Sequence, residues 1–194
     1  MTVSSPTTGE RVEQAATRLF AQRGFHGTGI RRLAQESGLT SASLYHWMGT
    51  KEELLARLMR SALERLTADA RAALAGAGED PRERLDALVR VHVRAHAERP
   101  EQTRVVDGEL GALTPDARAG VVALRAEYED LWRTVIADGV DQGLLVVAQP
   151  DLARRAVLEM CSSVARWFRS DGGLGVAEVA EEHVSLARGA LGAR

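Results

Sequence analysis

Residues 37–54 read SGLTSASLYHWMGTKEEL. The stretch is mostly small and polar, yet it crowds Leu44, Tyr45, Trp47 and Met48 into its middle. The chain of 194 residues holds only three Trp, two Tyr and three Phe, so placing two of them here needs a reason. A core helix would carry more aliphatic residues, and a loop would not gather so many apolar ones. The punctuation gives the answer. Gly38 stops one helix and Thr40, two residues on, is an N-cap for the next. Leu39 before that cap and Leu44 at the fourth helical position suit a hydrophobic staple. After Gly49, Thr50 and Glu53 have capping-box spacing and open a long helix, KEELLARLMRSALERLTADARAALAG.

Working outward, residues 1–8 are polar, contain Pro6 and read as unstructured. RVEQAATRLFAQR then sets Val12, Ala15, Ala16, Leu19 and Phe20 on one apolar stripe. Gly24 ends that helix, GFHGTG turns, and Thr28 is placed as an N-cap. The next helix, GIRRLAQES, buries Ile30, Leu33 and Ala34. Two short helices joined by a tight glycine turn and preceded by a third form a helix-turn-helix unit. The second short helix must enter a DNA major groove about 12 Å wide, so its outer face needs compact polar groups. Thr40, Ser41 and Ser43 supply that face, while Leu39, Leu44 and Met48 face the other helices.

Downstream the helix signals repeat. Asp80-Pro81-Arg82-Glu83 starts a helix that ends before Pro100, and Pro100 starts a shorter one to about Leu110. Thr114-Pro115 opens a helix to about Gln142, ended by Gly143. LLVVAQ is a connector, Pro150-Asp151 opens a helix reaching about Ser170, DGGLG is a break, and VAEVAEEHVSLARGAL is the last helix. The expected architecture is all-α, with about nine helices. Residues 9–52 form a helix-turn-helix DNA-binding domain and residues 53–194 a ligand-binding and dimerisation domain.

Charge agrees with this division. Residues 1–51 carry six basic and three acidic side chains, on a chain whose net charge is −2. A basic end on an acidic body suits a DNA-binding head. There is no run of 18 apolar residues and no apolar leader, so the reading predicts no membrane span and a cytoplasmic protein. A single cysteine, Cys161, excludes an intramolecular disulfide and sits in an apolar helical context, LEMCSSV, as a small hydrophobe. No nucleophile lies beside a base in sequence, Ser162 and Ser163 have no neighbouring His, and no phosphate loop or CxxC occurs. The reading predicts no catalytic residues, no cofactor and no metal.

Residues 11–55, RVEQAATRLFAQRGFHGTGIRRLAQESGLTSASLYHWMGTKEELL, resemble the TetR family of transcriptional regulators. The match runs ungapped through the AA-x-x-LF stripe, Gly24-Phe25-x-x-Thr28, Leu33-Ala34 to Gly38-Leu39-Thr40, Leu44-Tyr45 and Lys51-Glu52-Glu53-Leu54. The resemblance implies a homodimer that binds double-stranded operator DNA through its N-terminal unit and releases it when a small-molecule effector enters the C-terminal body, most simply as a repressor. By position it implies that Thr28, Arg31 and Thr40 touch DNA or cap helices and that Ser41 and Ser43 read bases. It gives Tyr45, His46 and Lys51 to phosphates. Trp47 stands where the family often has His, and either donates its indole N–H to a phosphate or packs at the domain junction. Met48 replaces the usual Phe.

For the body, Leu152, Ala156, Leu158, Met160, Val164, Trp167 and Phe168 on the penultimate helix are read as a dimer face. Val176, Val179, Ala180, Val184, Leu186 and Leu191 on the last helix join them. Tyr128 and Trp132, one turn apart, line a cavity or belong to the core. His92 and His96 have the i, i+4 spacing of metal ligands, but with no Cys or carboxylate converging the core or solvated reading is favoured. The segments GELGALTPDARAGVVALRAEYEDLWRTVIADGVDQGLL and ARWFRSDGGLGVAEVAEEHVSLARGAL more faintly resemble TetR regulators of lipid and steroid catabolism, which respond to acyl-CoA thioesters. That resemblance implies a pocket for an acyl or ring moiety, with Arg166 or Arg169 near the CoA phosphates. The candidate ligand-binding residues are His96, Tyr128, Trp132, Met160, Arg166 and Trp167. Other hydrophobic effectors, including substrates of drug efflux, are the alternative. A helical enzyme is opposed by the missing nucleophile–base pair, and a protein-interaction module with a vestigial DNA unit by Tyr45, His46 and Lys51.

Overall fold

A computed structural model of the chain describes residues 6–193, and every regular element among them is helical. In chain order these are α1 (Thr8–Arg23), α2 (Ile30–Glu36), α3 (Ser41–Met48), α4 (Lys51–Gly76), α5 (Pro81–Glu98) and α6 (Pro100–Gly108). A 3-10 turn (Leu110–Ala112), α7 (Pro115–Asp141), α8 (Pro150–Ser162), α9 (Val164–Trp167) and α10 (Val176–Ala190) follow. The all-α expectation holds. Of the polar leader 1–8, residues 1–5 lie outside the described residues. Thr7 is structured, and its capping box with Glu10 starts α1.

Local chemistry sets most boundaries. Thr40 Oγ1 accepts the Ser43 N–H at 3.2 Å to start α3. Thr50 and Glu53 exchange backbone-to-side-chain bonds of 2.7 and 3.0 Å at the start of α4. Asp80 accepts the Arg82 N–H ahead of Pro81. Gly38 and Gly49 sit at φ +68° and +67°, in the left-handed region where a side chain is strained. A Cβ on Gly49 would also collide with the Glu53 carboxylate that closes the capping box.

Two expectations are corrected. Thr28 does not cap α2: the N-cap is Gly29, with no side-chain bond, because the Thr28 hydroxyl is turned inward to the carbonyls of Gly24 and Leu19 at 2.9 and 3.3 Å. The helix expected from 150 to about 170 breaks at Ser163. There α8 ends and the short α9 begins, with Ser163 Oγ donating back to the Met160 carbonyl at 2.7 Å. A serine hydroxyl competing for a helical carbonyl is a common source of such an interruption.

The chain forms two compact units. One is Met1–Ala62 with Glu101–Val122, and the other Leu63–Pro100 with Ala123–Arg194, so the division falls within α4 and α7. In the first, α1, α2 and α3 pack on one another around buried Ala16, Phe20, Leu33, Leu44 and Met48. In the second, α10 packs chiefly along α5, with α8 and α9 also against α5. Its core joins Leu85, Leu88, Val89, Trp132, Ile136, Val157 and Cys161. At about 25 cal/mol per Å² of apolar surface, each such large side chain contributes roughly 1.5–3 kcal/mol. No helix among the described residues is long and apolar enough to cross a membrane.

Candidate functional site

In the first unit, α3 is amphipathic on a short scale. Leu44 and Met48 are fully buried beneath it, whereas Ala42, Ser43, Tyr45, His46 and Trp47 face solvent and Ser41 is half-buried. Tyr45 is 53% and Trp47 48% exposed, unusual for aromatic side chains of a small helical unit. The Thr40 and Ser43 hydroxyls share one hydrogen bond of 2.9 Å, which leaves one hydroxyl hydrogen to offer outward. Trp47 meets the His46 ring edge-to-face at 5.7 Å. It also lies beside the start of α1, where a methyl on Gly9 would stand 4.0 Å from the indole. Arg32 of α2 and Arg18 of α1 converge on Glu36 at 2.7 and 3.3 Å, while Arg31 is exposed and forms no ion pair among the described residues.

Two residues singled out for DNA make hydrogen bonds within the unit. Thr28 is 1% exposed, so its side chain cannot reach a duplex without the turn unfolding. The Lys51 ammonium donates to the carbonyls of Phe25 and Thr28 at 2.8 and 2.9 Å and lies 4.1 Å from the centre of the Phe25 ring. Desolvation in this position lowers its pKa from the ordinary lysine value. Lys51 therefore braces the α1–α2 turn from the start of α4. The same turn is held from far along the chain: the Phe25 N–H donates to Glu109 at 3.1 Å. Nearby, the Thr114 N–H donates to Glu52 at 2.8 Å, which holds that carboxyl below the usual range. No sequence signal pointed to Glu109.

In the second unit the candidate ligand residues separate into two groups. Tyr128 and Trp132 of α7 are buried together with His92 and His96 of α5. His92 Nδ1 lies 2.7 Å from the Tyr128 hydroxyl and Nε2 2.9 Å from Ser162 Oγ. Ser162 has no histidine next to it in sequence, and its spatial partner is seventy positions away. His96 stacks on His92 at 3.9 Å and bonds its carbonyl through Nδ1 at 2.8 Å. Burial pushes the His92 pKa well below the usual value, and His96 and His183 push the same way. Burial also raises the Tyr128 phenol and takes the Cys161 thiol up to about 12, so both stay protonated. Trp132 is fully buried, and its indole N–H lies toward the Tyr128 oxygen without reaching good hydrogen-bond geometry.

The second group is nearer the surface. Met160 is half-buried and Arg166 exposed. Trp167 is 50% exposed, donates to Ser163 Oγ at 3.2 Å and stacks parallel to the buried His183 ring at 6.2 Å. Arg169 pairs with Asp171 at 3.1 Å. Of the residues read as a dimer face, Val164, Val179, Ala180, Val184 and Leu191 are instead buried in this unit's own core. Leu152, Ala156, Trp167 and Leu186 remain exposed. An open groove of about 1160 Å³ runs between α4 and α5 beside Arg188, and none of the candidate ligand residues lines it. Of its four arginines, Arg90, Arg99 and Arg188 are tied to Glu181, Asp69 and Asp86, and Arg94 is exposed. No group of three or more His, Cys, Asp or Glu among the described residues is placed to hold a metal.

Two family models match the chain. Residues 14–58 match the family described as bacterial regulatory proteins, tetR family. Residues 78–191 match the tetracyclin repressor-like C-terminal domain. The chain is 30% identical over 187 residues to the HTH-type transcriptional repressor KstR2 of Rhodococcus jostii (strain RHA1), covering 94% of this chain and 91% of that one. Among solved structures it is similar to the TetR family transcriptional regulator PfmR from Thermus thermophilus. There the TM-score is 0.82 and the identity 35%, over 91% of this chain and 96% of that one. It is also similar to AibR solved with isovaleryl coenzyme A and operator DNA, with a TM-score of 0.83 and 25% identity over 93% and 97% of the two chains.

Proposed function

The chain belongs to the tetR family of bacterial regulatory proteins, and on that footing we propose that it is a homodimeric, cytoplasmic repressor released from a palindromic operator by a small effector. Residues 9–52 carry DNA binding, and residues 53–194 carry effector binding and dimerisation. It is a regulator and not an enzyme. The observation that carries the DNA reading is α3 itself. Leu44 and Met48 anchor a helix whose outer side offers Ser43, Tyr45, His46 and Trp47 to solvent. In this reading Ser41 and Ser43 meet base edges, and Tyr45, His46 and the unpaired Arg31 grip phosphates. Trp47 adds its indole N–H to the same backbone. Thr28, Thr40 and Lys51 hold the helices that present them.

The effector we infer is an acyl-CoA thioester. The support is the likeness to AibR, which was solved with isovaleryl coenzyme A, together with exposed Arg166 and Trp167 in the same unit as the buried Tyr128–Trp132 cluster. Arg166 and Arg169 take CoA phosphates, Trp167 stacks on the adenine, and the acyl chain runs inward past Met160.

The test is an unbiased selection of DNA sequences on the purified full chain, followed by binding assays on the recovered site with Tyr45→Ala. Loss of at least tenfold in affinity with the oligomer intact is expected. Recovery of no preferred sequence would remove the DNA reading. Acyl-CoA esters are then added to the complex, and failure of any chain length to release DNA removes the effector reading alone.

A further inference from the structure

The polar cluster around His92 has more hydrogens to give than the protein takes. Its donors are the Trp132 indole N–H, the Tyr128 and Ser162 hydroxyls and one N–H of the neutral His92 ring. Two of these are spent on the bonds His92 makes to Tyr128 at 2.7 Å and Ser162 at 2.9 Å. If Nδ1 carries the proton, Ser162 donates to Nε2 and the Tyr128 hydrogen is left over. If Nε2 carries it, Tyr128 donates to Nδ1 and the Ser162 hydrogen is left over. In both cases the Trp132 N–H lies toward the Tyr128 oxygen without reaching good hydrogen-bond geometry. The surplus is therefore one hydroxyl hydrogen whichever tautomer is present, beside a poorly satisfied indole N–H. Trp132 is 0% and Tyr128 3% exposed, so water does not freely reach that part of the cluster. A buried donor left unpaired keeps its full desolvation penalty, which makes the cluster a standing demand for an acceptor.

We propose that Trp132, Tyr128, His92 and Ser162 form the polar end of the effector site, and that the effector presents to them an uncharged oxygen acceptor such as a thioester, ketone or ester carbonyl. This rests on the reading that the effector enters the second unit. The charge class follows from what surrounds the relay. Among the described residues, no Asp, Glu, Lys or Arg is hydrogen-bonded to any of its four side chains. A carboxylate there would be buried without a cation, and an ammonium would find donors where it needs acceptors. A carbonyl oxygen has two lone pairs and no charge, which fits one surplus hydroxyl hydrogen and a poorly satisfied indole N–H. Ser162 is half-buried at the last position of α8, next to Ser163, which holds the exposed Trp167. The relay thus ends beside the residues assigned to the CoA moiety.

The experiment measures binding of matched probes to the full chain by calorimetry: octanoyl-CoA against octyl-CoA, its thioether lacking the carbonyl, and a cyclic ketone against its methylene analogue. Wild type is expected to prefer the carbonyl member by roughly three- to tenfold, the value of one buried neutral hydrogen bond. Trp132→Phe and Ser162→Ala should each bring that ratio toward one. The Trp132 indole resonance of the wild type, identified by its absence from Trp132→Phe, should move downfield with the carbonyl probe only. Ser162→Ala and the wild-type resonance keep the test valid if Trp132→Phe does not fold. Binding without carbonyl preference, or a preference unchanged in both variants, overturns the proposal while leaving the effector reading standing. Preference seen for the ketone alone supports the relay and overturns the acyl-CoA reading. Binding of no probe overturns both.

Discussion

Glu109 accepts the backbone N–H of Phe25 at 3.1 Å across eighty-four positions of sequence. The bond ties the segment after α6 to the turn between α1 and α2, within one compact unit. Lys51 approaches the same turn from α4 and takes the carbonyls of Phe25 and Thr28. One short turn is thus held by a carboxylate on its N–H and an ammonium on its C=O groups.

Glu109→Ala leaves a partly buried N–H without an acceptor and should lower stability by about 1–2 kcal/mol, because a charge-assisted bond is lost and its donor is left unpaired. Glu109→Gln keeps an acceptor oxygen and should recover more than half of that. Urea unfolding of the three proteins measures it. Equal stability of Glu109→Ala and wild type would show that the bond is not formed in solution.

Lys51→Met separates bracing from phosphate contact. A lysine that grips a phosphate contributes close to one unit to the slope of log K against log salt. The Lys51 ammonium is occupied by two carbonyls and the Phe25 ring. The variant should therefore bind operator several-fold more weakly with the salt slope unchanged. A slope reduced by about one would place Lys51 on the DNA backbone instead.

The head was legible because its signals are local. Thr40, Thr50 and Glu53 act within a few residues, and Gly38 and Gly49 reveal their positive φ by being glycine. The stripes of α1 and α3 sort buried from exposed positions with one lesson attached. Thr28 occupies a family position but its hydroxyl is consumed by Leu19 and Gly24. The body was legible only as helices. Tyr128, Ser162 and Glu109 find their partners 36, 70 and 84 positions away, and no periodicity encodes such meetings. Valines 164, 179 and 184 looked like an interface because a helix pattern gives the apolar face without saying what covers it.

His92 gives the protein an acid-sensitive core. Its folded-state pKa lies well below 6.5, chiefly through burial. Between the two values the unfolded chain binds a proton that the folded chain refuses. Stability therefore rises with pH up to about 6.5 and is lost as pH falls below it, at up to about 1.4 kcal/mol per pH unit for this one group. Denaturant titrations at pH 7.5, 6.5 and 5.5 should show stability level between the first two and falling at the third. His92→Gln, which retains a donor and an acceptor, should flatten the fall relative to wild type. The same slope in variant and wild type would assign the acid sensitivity elsewhere.

Leu152 and Leu186 carry the dimer prediction. They stand 67% and 55% exposed on α8 and α10, each on a helix whose opposite side is already committed to the unit's own core through Val157 and Val184. Burying one such leucine against a partner is worth roughly 1.5–3 kcal/mol, and a charge at its centre would be desolvated without a counter-ion. Leu152→Arg with Leu186→Arg should therefore sediment as a monomer with unchanged helical content, since neither residue supports the fold it sits on. A monomer presents one α3 to the duplex rather than two at a fixed half-site spacing. Its affinity for the selected operator should fall by more than a hundredfold, while its affinity for random DNA falls far less. A double variant that remains dimeric would move the interface off these helices. One that is monomeric yet binds operator at full strength would detach dimerisation from recognition.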